Sequence, residues 1–96
     1  MNRKDRRAAR AQGELDTEAF LKIANKFIEL ANAENRTVKA TDLHMAFLYA
    51  AARYNAYVAK AILNVEKHEE FVAHMNEQYT EMLRQHLADD SLARPA

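Results

Sequence analysis

Between residues 20 and 31 the apolar positions Phe20, Ile23, Ala24, Phe27, Ile28 and Ala31 recur three and four apart, with Lys22, Asn25, Lys26 and Glu29 falling opposite. This is the period of an amphipathic helix, and it predicts one over roughly residues 17–33. Asp16 is placed to cap its start, Glu18 sits in the positive first turn, and Leu15 before the cap can reach Phe20 as a hydrophobic staple. The polar run Asn32 to Arg36 loses the period and reads as a connection.

A second helix is expected over about residues 40–63, capped by Thr37 or Thr41, with Asp42 suiting the dipole of its first turn. On a wheel of roughly 100° per residue, Leu43, Phe47, Ala50, Tyr54, Val58, Ala61 and Val65 share one face. Met45, Ala52, Ala56, Ala59 and Leu63 line nearly the opposite one. The stretch Met45 to Ala61 is thus apolar almost all the way round, interrupted by Arg53, Asn55 and Lys60. A helix of that kind needs cover on more than one side, so it is expected to be the core.

The break before the last helix falls at Asn64 to Lys67, where Asn64 can take the left-handed conformation that ends a helix. Nothing there forbids a continuous rod. The preferred third helix runs about 66–88, with Phe71, Val72, Met75, Tyr79, Met82, Leu83 and His86 on one stripe. Asp89-Asp90 and Pro95 mark its end.

Three amphipathic segments with short connections predict an all-α protein, an antiparallel up-down-up three-helix bundle. A chain of 96 residues buries only a modest core, so dimerisation is a second way to complete it. Residues 1–14 are expected to form a flexible basic arm, 15–90 a single helical domain, and 91–96 a disordered tail.

Composition removes several classes. With no Cys, one Gly, one Pro and no Trp, the chain lacks a disulfide framework, a thiolate metal site, a Gly-rich phosphate loop and the turn residues of β folds. Arg53, Asn55 and Lys60 interrupt the longest apolar stretch, and no apolar signal region follows the basic start. No membrane span and a cytoplasmic location are therefore expected.

The zero formal net charge hides an asymmetry. Residues 1–13 carry Arg3, Lys4, Arg6, Arg7 and Arg10 against Asp5, a net +4 that leaves −4 for residues 14–96. Such an arm can bind nucleic acid or anionic lipid through phosphate charge, but without aromatic residues it offers no base-stacking platform. A solubilising leader is the simpler reading.

Metal and catalytic chemistry find little support. The residues three before the histidines are Thr41, Val65, Phe71 and Leu83, so no Glu-x-x-His di-iron pair exists. His68-Glu69 opens like a zincin signature, but Val72 takes the place of the second His. Glu70 and His74 read as a solvated acidic face, and His86 as an edge-of-core histidine. Ser91 lies in a polar tail, the Thr residues lie at expected caps, and Tyr49, Tyr54, Tyr57 and Tyr79 read as core residues with wet hydroxyls. No enzyme, metal or cofactor is expected.

Arg53 and Asn55 are the sharpest oddity, since a polar group buried without a partner is costly. Arg53 is expected to bridge to Glu29 or Glu77 of a neighbouring helix. The other reading makes Arg53, Asn55 and Tyr49 a polar site that grips an anion or a partner carboxylate. The small face Met45, Ala52, Ala56, Ala59 and Leu63 suits close approach of a helix, from the same chain or from a symmetry mate.

The run Phe47 to Tyr57, FLYAAARYNAY, together with Leu30-Ala31-Asn32 and the Gln-Tyr-x-x-Met-Leu of Gln78 to Leu83, resembles the small bacterial family called domain of unknown function 3144. The resemblance covers about residues 17–90. It implies a small helical protein with no assigned activity, cofactor or substrate, in which Arg53 and Asn55 are family-like positions. The leader Met1 to Ala9 is similar to leaders on otherwise unrelated bacterial proteins, as a detachable module would be.

The function expected from all this is a non-enzymatic helical interaction module, self-associating as a homodimer or engaging another protein. Nucleic-acid association through the arm is the alternative.

Overall fold

The computed structural model describes residues 15–92. Three α-helices follow one another: α1 over Thr17–Glu34, α2 over Ala40–Tyr57 and α3 over His68–Leu87. A π-helical turn, Val58–Ile62, extends α2, and a 3₁₀ turn, Asp90–Leu92, follows α3. There is no strand among the described residues. The all-α, three-helix class expected from the periodicity is the one observed. The chain divides into two compact units, 1–51 and 52–96, with the boundary inside α2.

In the first unit, α1 begins where the sequence places it. Asp16 is extended (φ −76°, ψ 171°), and its Oδ1 accepts the N–H of Ala19 at 2.8 Å. This satisfies one of the amide donors that every helix start leaves over. Glu18 lies in the first turn and pairs with Lys22 one turn on, at 3.6 Å. At the other end the N–H of Asn35 returns to the Ala31 carbonyl at 2.9 Å.

The start of α2 differs from expectation, because neither threonine caps it. The Thr37 hydroxyl turns back to the Glu34 carbonyl at 3.4 Å, and Thr41 lies inside the first turn. The carbonyls at the end of α1 lack helical partners, and a hydroxyl three residues on is within reach of one. The Lys39 carbonyl instead receives the N–H groups of Asp42 and Leu43, at 3.0 and 2.9 Å.

In the second unit, Leu63 donates to Val58 five residues back, and Val65 to Ala59 six residues back, both at 2.9 Å. Asn64 stands between them with φ 51°, the left-handed residue expected there. The helix therefore stops, and the continuous rod does not form. Lys67 (φ −96°, ψ 85°) precedes α3, whose first turn carries Glu69 and Glu70 and whose last carries Arg84 and His86. Those charges match the helix dipole at both ends.

Burial departs most from the sequence reading. Among the described residues only Ala59 and Asp16 are buried, at 4% and 6% exposure. Solvent reaches most of Met45 to Ala61, the segment expected to form the core: Met45, Phe47, Leu48, Tyr49, Tyr54 and Tyr57 are all exposed. Ala51, Asn55 and Val58 are half-buried. The apolar run is a helix over Ala40–Tyr57, as expected, but its side chains are largely exposed rather than buried.

Candidate functional site

The polar positions singled out on α2 do not converge. Arg53 and Asn55 are two residues apart on an α-helix, about 200° round its axis, so they project from different sides. Arg53 is exposed and Asn55 half-buried. Tyr49 is 70% exposed and lies one turn before Arg53 on the same side. Tyr54 and Tyr57 form the ring contact of this helix, with centroids 6.0 Å apart and planes tilted by 38°. The tyrosines are exposed residues, not the core residues expected.

The described ion pairs are local. They join Lys22 to Glu18, Lys39 to Asp42 and Lys67 to Glu70, at 3.6 to 3.9 Å between exposed side chains. Exposed pairs of this kind contribute about 0.2–1 kcal/mol each. Glu77, the expected partner that lies in the same unit as Arg53, is joined to it by none of the described ion pairs. The guanidinium is held in water instead, where an unpaired charge costs little.

The small face of α2 is only partly available. Met45, Ala52, Ala56 and Leu63 are exposed, whereas Ala59 is already covered within its own chain. Leu63 lies beyond the π-helical turn, whose wider spacing shifts every later residue away from the position that an ideal wheel assigns. No sequence signal marked that turn. The left-handed Asn64 next to it was the one local cue.

His68, His74 and His86 are exposed, as are Glu70, Glu77 and Glu81. Among the described residues, no three His, Asp or Glu side chains converge as metal ligands would. At the end of α3 an open groove is lined by Leu83, His86, Leu87, Asp89, Asp90 and Leu92. Asp89 Oδ1 accepts the N–H of Ser91 at 2.9 Å. The Ser91 side-chain and backbone hydrogen bonds, with a smaller charge effect from His86, hold the Asp89 carboxyl below its ordinary value of 3.8.

The arm residues Arg3, Lys4, Arg6, Arg7 and Arg10 lie outside the described residues, as does the end of the tail beyond Leu92. Among the described residues no helix is long and apolar enough to cross a membrane.

What is prominent is apolar surface on helix faces. In α1, Phe20, Phe27, Ile28 and Leu30 are more than half exposed; in α3, Val72, Tyr79, Met82 and Leu87 stand in water. Single exposed apolar residues are ordinary, whereas contiguous stripes of them gain by being covered. A family model described as "Protein of unknown function (DUF3144)" matches residues 20–90. No curated protein and no solved structure matches the chain.

Proposed function

The chain belongs to the DUF3144 family of proteins of unknown function, and we propose that it works as a non-enzymatic helical interaction module that associates with copies of itself. One observation carries this reading: helices with a clear apolar face keep that face in water, from Phe20, Phe27 and Ile28 in α1 to Met82 in α3. These side chains are about half exposed, so covering them contributes about half of the roughly 1.5–3 kcal/mol that full burial is worth, set against the cost of association. The exposed tyrosines of α2, with Arg53 among them, are residue types that dominate interface energetics. The module acts in the cytoplasm in this reading.

Sedimentation velocity across low to high micromolar concentration tests it. A dimer or larger species with a concentration-dependent population is expected; a strict monomer throughout rejects self-association.

The arm supports a second activity, because five cations in its first ten residues can neutralise phosphates. Binding of this origin is blind to sequence, falls steeply with salt and vanishes on deleting residues 2–12. Binding that survives the deletion unchanged would exclude the arm as its source.

A further inference from the structure

We infer that Leu63 to Lys67 form a two-state elbow latched by Asn64. With Asn64 left-handed the elbow closes the break after α2, and with Asn64 helical the chain runs on into α3 as one helix. The elbow lies wholly in the second unit, 52–96, and the inference is independent of self-association.

The break is not written into the composition of the segment. Val58 to His68 reads VAKAILNVEKH, without the Gly or Pro that commonly ends a helix, and Ala, Lys, Leu and Glu are strong helix formers. The apolar period also crosses the break in phase. Val58, Ala61, Val65, Val72, Met75 and Tyr79 recur at steps of three, four, seven, three and four, the heptad spacing of one continuous helix, with His68 in the intervening place. A connection of irregular backbone imposes no such phase. In the closed elbow the π-helical turn Val58–Ile62 and Asn64 at φ 51° interrupt the regular winding that would keep these residues in line.

Hydrogen bonds hold the closed state lightly. Leu63 donates to Val58 and Val65 to Ala59, but among the described residues the N–H groups of Asn64, Glu66, Lys67, His68 and Glu69 donate to no protein acceptor. Lys67, at the start of α3, supplies no side-chain cap. In a continuous helix each of these five amides reaches the carbonyl four residues back, and Leu63 and Val65 exchange their long bonds for ordinary ones. Opening therefore adds five intrahelical bonds and gives up cover at Ala59 and Val65, which are buried and half-buried in the closed elbow. Asn64 tips this balance to the closed side, because Asn tolerates the left-handed region and is a poor former inside a helix.

The full chain and its Asn64→Ala and Asn64→Gly variants, compared by nuclear magnetic resonance and circular dichroism, test the elbow. Alanine is penalised in the left-handed region and favoured in a helix, so Asn64→Ala is expected to raise the ratio of open to closed elbow about tenfold or more. Its Cα shifts at residues 63–67 become helical, its amides at 64 and 66–69 exchange about tenfold more slowly than in Asn64→Gly, and total helicity rises. Asn64→Gly keeps the wild-type shifts. Non-helical shifts at 63–67 in a folded Asn64→Ala chain overturn the elbow, and helical shifts in both variants overturn Asn64 as its latch. An Asn64→Ala chain that unfolds also overturns it, because an accessible continuous helix would take up the segment instead.

Discussion

The N–H of Val65 donates to the carbonyl of Ala59 at 2.9 Å, six residues back, wrapping the chain around Asn64 at φ 51°. A helix end closed in this way depends on a residue that tolerates the left-handed region. Most side chains pay roughly 1–2 kcal/mol there, whereas Gly and Asn pay less.

Asn64→Gly is therefore expected to leave stability unchanged or slightly raised, and Asn64→Val to lower it by about 1–2 kcal/mol. Urea denaturation followed by circular dichroism at equal protein concentration measures both. Equal midpoints for the two variants would show that this turn does not govern the end of α2.

Asp16 does the corresponding work at the start of α1, through its 2.8 Å bond from the Ala19 amide. Asp16→Ala is expected to cost about 1 kcal/mol, and Asp16→Asn much less, since the amide oxygen still accepts that bond. Thermal melting resolves the difference. A full loss with Asn would instead assign the effect to the negative charge near the helix dipole.

Arg53 draws attention in the sequence because it interrupts an apolar helix, yet it is exposed in the structure and takes part in none of the described ion pairs. Arg53→Ala should change the stability of the single chain by no more than about 0.5 kcal/mol. A larger loss that appears only at concentrations where the protein associates would place Arg53 in the interface.

The Asp89 carboxyl is held below 3.8 by its hydrogen bonds from Ser91. A carboxylate depressed in the folded state stabilises its turn above the unfolded value, and that contribution disappears as pH falls through the lowered one. The 3₁₀ turn Asp90–Leu92 is thus expected to stay formed at pH 5 and to loosen only below the ordinary carboxylate range. A carboxyl titration by nuclear magnetic resonance should give a midpoint below 3.8 for Asp89, and Ser91→Ala should move it upward. An unmoved midpoint in that variant would leave the shift to the remaining backbone bond and His86.

The features that the amino-acid sequence determined by itself are those set within one turn of chain. The Phe20 to Ala31 period specifies α1, Asp16 specifies its cap, and Asn64 specifies the break between the second and third helices. Each follows from side chains and backbone groups a few residues apart, where spacing and local hydrogen bonding decide. The Thr37 hydroxyl shows the margin of such reasoning, since two helix ends compete for it and the Glu34 carbonyl receives it.

Only the tertiary structure decided which surfaces meet water. An apolar pattern states that a face such as Met45 to Ala61 gains by being covered, but not which of its side chains stay in water. The π-helical turn at Val58–Ile62 escaped the sequence for a related reason. Assigning faces beyond Val58 assumes about 100° per residue, and one wide turn rotates Leu63 away from Ala52 and Ala56. Exposure is a property of all the neighbours at once, so the spacing of apolar residues alone does not give it.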